Sequence, residues 1–246
     1  MTGTVGGAGE PTAAASGPVI LVLGAVGGCG TTLVAGGIGL AWAHAGRPAC
    51  LVELDVERGD LAGDWGLPSD RTLADLAPVA AELSAGHLRQ VAYPHESGLA
   101  VLLGPGRPEA ARPWRAAGGA LLTIAAEGRA VVADGGSGLA GAAPAALSAA
   151  RAVVVCPASV AGARRARRLA EHLDVLDAGR GAVLAVRRGA RDELSPRAVG
   201  RAAGMEVTAE LPWAEAEGEA ISAGRWPAGR RRRLASALAE LAEALA

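Results

Sequence analysis

Between Gly24 and Thr32 the chain reads Gly-Ala-Val-Gly-Gly-Cys-Gly-Thr-Thr. Glycines at this density let backbone N–H groups point inward, with no Cβ to hold an anion away from them. A helix starting at the two threonines would add the positive end of its dipole, about half an elementary charge. These are the parts of a site for phosphate oxygens. Gly27, Gly28, Cys29, Gly30, Thr31 and Thr32 are therefore the candidate nucleotide-binding residues. Two acidic residues accompany them: Asp55 after Val52-Glu53-Leu54, and Asp134 after Val131-Val132-Ala133. Carboxylates at the C-terminal ends of buried parallel strands lie where α/β proteins bind their ligands. The plainer reading of each is a strand-end cap bonded to nearby backbone.

Such a loop needs a strand before it and a helix after it. Apolar runs at 19–23, 49–54, 99–103, 130–133, 152–156, 182–186 and 206–211 predict strands. Most are continuous rather than alternating, as in strands covered on both faces. Between them, helices are predicted near 32–46, 72–84, 109–127, 142–149, 159–177, 195–203, 214–223 and 229–245. Ser195-Pro196 gives one of these a side-chain cap and a proline at its first position. The alternation predicts an α/β fold: a doubly wound, mostly parallel sheet with helices on both faces. Residues 1–17, mostly Gly, Ala, Thr, Ser and Pro, read as a disordered leader to a single domain over 18–246.

Composition narrows the chemistry. The 246 residues include 24 basic ones, all arginine, so no lysine ammonium is present for a Schiff base or for gripping phosphate. Phe and Asn are also absent, as compositional bias of a GC-rich genome would give. The net charge of −1 supplies no global field for nucleic acid. Three separated cysteines, Cys29, Cys50 and Cys156, have neither metal spacing nor a disulfide framework, which suits a reducing compartment. The first basic residue is Arg47, so no signal peptide is expected, and the location expected is cytoplasmic. The uncharged stretch 18–45 is long enough for a membrane span, but its glycines suit a backbone loop better.

The loop fits the P-loop pattern G-x-x-x-x-G-K-[ST] in register, but imperfectly. Its first glycine falls on Ala25, its second on Gly30, its lysine on Thr31 and its Mg2+-binding hydroxyl on Thr32. The segment Val26-Gly-Gly-Cys-Gly-Thr-Thr32 resembles the deviant Walker A motif of the MinD/ParA family, K-G-G-x-G-K-T. Gly59-Asp-Leu-Ala62, Trp65-Gly-Leu-Pro68 and His95-Glu-Ser-Gly-Leu-Ala-Val-Leu-Leu-Gly-Pro105 resemble the CpaE/TadZ branch of Flp pilus and secretion-locus proteins. They are similar also to CpaE-like septum-site-determining proteins. Leu211-Pro-Trp213 and Ala220-Ile-Ser-Ala-Gly-Arg-Trp-Pro227 resemble late family segments, the second a loop whose backbone contacts adenine.

The resemblance implies ATP and Mg2+ as cofactors, with Thr32 and Asp55 at the metal. It makes Asp55 the acidic residue that orients attacking water, and Asp134 the Walker B-like acid. It places Arg187 where an adenine-reading Asn commonly stands, and Pro212 beside the base. The family's lysine that crosses a dimer interface falls on Val26, and the phosphate lysine on Thr31. Losing both ammonium groups removes much of the charge that stabilises phosphoryl transfer. The expectation is a protein with weak or absent ATP hydrolysis. It would be a positional or assembly factor for a pilus or secretion apparatus or a septum site, peripheral at a pole or septum, with an apparatus protein as partner. The family also implies a homodimer.

Two other readings stand beside this one. An active ATPase would need a substitute arginine, Arg58 being nearest. A ParA-like DNA partition protein would use Arg164, Arg165, Arg167 and Arg168, though a solvated helix face balanced by Glu171 and Asp174 explains these better, so nucleic acid is not an expected partner. At the C-terminus Leu234, Leu238, Leu241 and Leu245 form one apolar stripe behind Arg230–Arg233. It could meet a membrane, but a narrow stripe without aromatics is expected to pack on the sheet instead.

Overall fold

A computed structural model of the chain describes residues 16–56, 58–140, 143–179, 181–229 and 232–246. Eight strands form one sheet: β1 Val19–Gly24, β2 Ala49–Glu53, β3 Tyr93–Pro94, β4 Ala100–Leu102, β5 Ala130–Ser137, β6 Arg151–Pro157, β7 Val183–Arg187 and β8 Val207–Leu211. Their order is β3-β4-β2-β5-β1-β6-β7-β8, parallel throughout except for the β3–β4 pair. The expected doubly wound α/β architecture is present, with β1 near the middle.

The helices are α1 Thr31–His44, α2 Leu61–Trp65, α3 Leu73–Leu76, α4 Ala85–Val91, α5 Pro108–Ala111 and α6 Trp114–Ala125. After them come α7 Ala143–Ala146, α8 Val160–Val175, α9 Pro196–Ala203, α10 Glu215–Ser222 and α11 Arg233–Ala244. Alternate residues of one strand serve two cores, because successive side chains leave a strand on opposite faces. Leu21 and Leu23 of β1 join Trp114, Leu121, Leu169 and Leu173 on one face. Ile20 and Val22 join Ile38, Leu40, Leu234 and Leu238 on the other.

Prolines account for two departures from the predicted helices. The helix expected over 72–84 stops at Leu76 and continues as a 3-10 turn, Ala77–Glu82, with Pro78 at its start. Proline has no N–H for the bond to the preceding turn. The helix expected over 109–127 is likewise split, with Pro113 as the cap of α6. The C-terminal helix expected from 229 begins at Arg233. β5 runs four residues past the predicted Ala133, so Asp134 lies within the strand rather than after it. Of the expected leader, residues 1–15 lie outside the described residues. Ser16 forms a bridge with Glu127, and the Gly17 amide donates to the Ala126 carbonyl at 3.0 Å, so these two residues are held to the domain.

α11 packs its leucines against α1 and β8. Leu234, Leu238, Leu241 and Leu245 are all buried. A Cβ placed on Gly37 of α1 would come within 2.7 Å of Leu238 Cδ1. Trp42 of α1 donates its indole N–H to the Ala242 carbonyl at 2.9 Å. The apolar stripe is thus part of the core rather than a free face. No helix among the described residues is long and apolar enough to cross a membrane.

Candidate functional site

The loop after β1 opens into a cavity of about 340 Å3 at the C-terminal edge of the sheet. Gly27, Gly28, Gly30, Thr31 and Thr32 line it from the loop, Asp55 and Arg58 from the segment after β2, Gly136 and Ser137 from the end of β5, Arg187 from the end of β7, and Ser222 from the end of α10. That size is in the range of small-molecule sites.

Gly30 is the cap of α1, at φ 92° and ψ 35°, and no side chain bonds to the first turn. Only glycine takes this left-handed conformation without strain. The first helical bond runs from the Val34 amide to the Gly30 carbonyl at 3.0 Å. The amides of Thr31, Thr32 and Leu33 precede it and belong to the turn that has no intrahelical acceptors. The mouth of the cavity therefore carries the positive end of α1 without a carboxylate cap.

Thr31 is buried, with its hydroxyl turned under the loop toward Gly24 and 3.6 Å from Cys29 Sγ. Cys29 is buried beneath the loop and donates its thiol to the Val155 carbonyl at 3.4 Å, so its side chain anchors the loop to β6.

Thr32 donates its hydroxyl to the carboxylate of Asp134. Asp134 also accepts from the Gly136 amide at 3.0 Å. Burial holds the Asp134 carboxyl above its ordinary range; the bonds from Thr32 and Gly136 oppose this, and the charges of Asp55 and Asp64 add to it. Asp55 lies across from Asp134 against Gly136, whose φ is 68°. A Cβ at Gly136 would sit 2.5 Å from Asp55 Cγ, so a glycine there is what lets the two strand ends close on the carboxylate.

Arg58 crosses the cavity edge. Its Nε lies 3.7 Å from Asp55 Oδ1, and its Nη2 donates to Ser137 Oγ at 3.1 Å. Arg187 pairs in the sheet with Pro157 of β6 and Leu211 of β8. Its side chain reaches over β6 to the loop and lies on Gly30: a Cβ there would be 3.1 Å from both its Cδ and its Cζ, with Nη1 nearer still.

Glu53, the last residue of β2, is buried behind the site. Its oxygens accept from the Leu61 amide at 2.8 Å and the Gly104 amide at 2.7 Å. Burial pushes its carboxyl up to about 7, against the pull of these two bonds. It ties α2 and the end of β4 to β2, and so sets the course of the loop that carries Asp55 and Arg58.

Of the residues expected from sequence, the structure brings Gly27, Gly28, Gly30, Thr31, Thr32, Asp55 and Arg187 to one cavity, with Asp134 directly behind it. Pro212 follows β8 and does not line the cavity. Trp226 stacks on His44 at the far end of α1, with ring centroids 5.7 Å apart, about 20 Å from Gly30 along the helix. Gly136, Ser137 and Ser222 were not singled out by spacing. Ser222 does fall inside the 220–227 segment that suggested an adenine loop. The arginines of α8 are exposed, and Arg167 pairs with Glu171 at 3.1 Å, as on a solvated face.

The donors in the cavity suit Mg2+ with a nucleotide: the Thr32 hydroxyl and the Asp55 carboxylate, both hard oxygens. Among the described residues no group of three or more His, Cys, Asp and Glu side chains could hold a metal ion by itself. The remaining ligands would come from phosphate and water.

No protein-family description and no curated protein matches the chain. Solved structures do. A ParA family ATPase from Chlorobium tepidum superposes with a TM-score of 0.81 at 17% identity, over 93% of this chain and 98% of that one. The cell division ATPase MinD of Pyrococcus furiosus gives 0.75 at 22%, over 92% and 97%. The septum site-determining protein MinD from Pyrococcus horikoshii, solved with Mg-ADP, gives 0.74 at 20%, over 93% and 95%. The fold is that of the MinD/ParA P-loop proteins.

Proposed function

We propose that the chain is a nucleotide-binding protein of the MinD/ParA type, with a CpaE/TadZ-like role as a positional or assembly factor rather than an ATP-driven engine. The observation that carries this is the convergence of an uncapped α1 N-terminus, Thr32 and Asp55 on one cavity with Asp134 behind it, in a chain without lysine. Backbone amides and the helix dipole hold the phosphates. Thr32 and Asp55 hold Mg2+, which when bound neutralises phosphate charge. Asp134 orients the Thr32 hydroxyl. Thr31 and Val26 bring no charge to the loop, and Arg58 is engaged with Asp55 and Ser137. Transition-state charge is therefore met incompletely, and hydrolysis is slow or absent. The MinD structure solved with Mg-ADP supports the choice of ligand. Partners of the scaffold are a pilus, secretion or septum apparatus protein and a second copy of the chain, in a dimer that cannot use a lysine at Val26.

Calorimetric titration with ATP and Mg2+, run beside a turnover assay, tests the reading. Saturable binding with turnover well below the usual enzyme range of about 1–1000 per second is expected. Absence of binding would overturn the nucleotide reading. Binding with fast turnover would overturn the scaffold.

A further inference from the structure

Two arginines line the cavity, and they differ in what meets their charge. Arg58 has Asp55 and Ser137. Arg187 has no ion pair among the described residues. Its neighbour Arg188 is paired with Asp192. Arg187 is half-buried at the end of a strand, and its carbonyl accepts from the Ala158 amide at 3.1 Å, so its backbone is fixed. The guanidinium rests on Gly30, at the cap of α1. A cation held half out of water without a counter-charge, beside a helix N-terminus that also lacks one, leaves two positive features facing one cavity.

We infer that Arg187 takes the place of the missing loop lysine, its guanidinium binding the phosphate groups of the nucleotide rather than the base. This rests on the nucleotide reading proposed above. The planar fork offers five donors and matches phosphate oxygens two at a time, which an ammonium cannot do. The site thus draws its cation from the end of β7, across β6, instead of from the loop itself. Gly30 serves both features: its left-handed backbone turns the loop into α1, and its missing side chain is the seat of the guanidinium.

Calorimetry with ATP, GTP and inorganic tripolyphosphate on the wild type, Arg187→Ala, Arg187→Gln and Arg187→Lys tests this. Arg187→Gln keeps most of the side-chain volume, and thermal melts report folding for each variant. The Ala and Gln variants should lose roughly ten- to a hundredfold in affinity for all three probes by similar factors, and Arg187→Lys should recover part of it. Unchanged affinity for ATP in both neutral variants would overturn the inference and leave nucleotide binding standing. So would a loss for ATP much larger than for GTP or tripolyphosphate, which would make Arg187 a reader of the base. If the wild type binds tripolyphosphate through Arg187 but neither nucleotide, the nucleotide reading falls and the inference falls with it, leaving a site for a free polyphosphate. If it binds none of the probes, both fall.

Discussion

Arg58 Nη2 donates to Ser137 Oγ at 3.1 Å, which joins the loop after β2 to the end of β5 across the mouth of the cavity. The same guanidinium lies 3.7 Å from Asp55. It therefore acts as a strap between two loops rather than as a cation aimed at a ligand. Arg58→Ala should leave stability within about 1 kcal/mol, because the arginine side chain is largely exposed and its charge is screened. It should also leave residual ATP turnover within about twofold, by steady-state assay. A tenfold fall in turnover would instead give Arg58 a part in the transition state.

Gly30 and Gly27 should respond oppositely to alanine. At Gly30 the left-handed backbone alone costs about 1–2 kcal/mol, and the new methyl displaces Arg187. Gly27→Ala meets nothing within 4 Å and has no positive φ, so its effect should be within about 0.5 kcal/mol. Urea unfolding of the two variants checks the contrast.

Glu53 sets a pH dependence. Its carboxyl is raised from the ordinary value of 4.5 to about 7 in the folded chain. The folded state then binds the proton more tightly than the unfolded one, so the contribution of Glu53 to stability is fully present below pH 4.5 and is lost as pH rises to 7. At about 1.4 kcal/mol per unit the decline is on the order of 3 kcal/mol. Asp134 shifts in the same direction and adds to the slope. Denaturant midpoints between pH 5 and pH 8 should fall in the wild type, and fall less in Glu53→Gln. A midpoint that rises over this interval would contradict the assignment.

Leu238 tests the docking of α11. It is fully buried and packed on Gly37. Leu238→Ala should cost about 2–5 kcal/mol in urea unfolding. A loss under about 1 kcal/mol would indicate that α11 spends its time off the domain, as a lipid-binding helix would.

The strand, glycine loop and helix around Gly24–Thr32 were legible because the chemistry is local: a buried apolar run, then glycines, then threonines within one turn. Asp55 and Asp134 were legible for the same reason, each closing an apolar run. The region 55–98 was not. Its α2, α3 and α4 are short, and β3 is two residues ending in Pro94 at the sheet edge, where a missing N–H does no harm. Segments of four to seven residues carry too little periodicity to read.

By itself, then, the sequence determined an α/β chain with a glycine-rich loop between a strand and a helix, carboxylates that close two apolar runs, and no lysine. Only the tertiary structure decided which cation faces that loop. Position 187 is remote from position 30 in the chain, and the strand order β1-β6-β7 brings them together. Strand order follows from how crossover helices pack on both faces of the sheet, a non-local balance that residue spacing does not encode. The same packing put Arg58 against Ser137, turned Thr31 under the loop and laid Arg187 on Gly30.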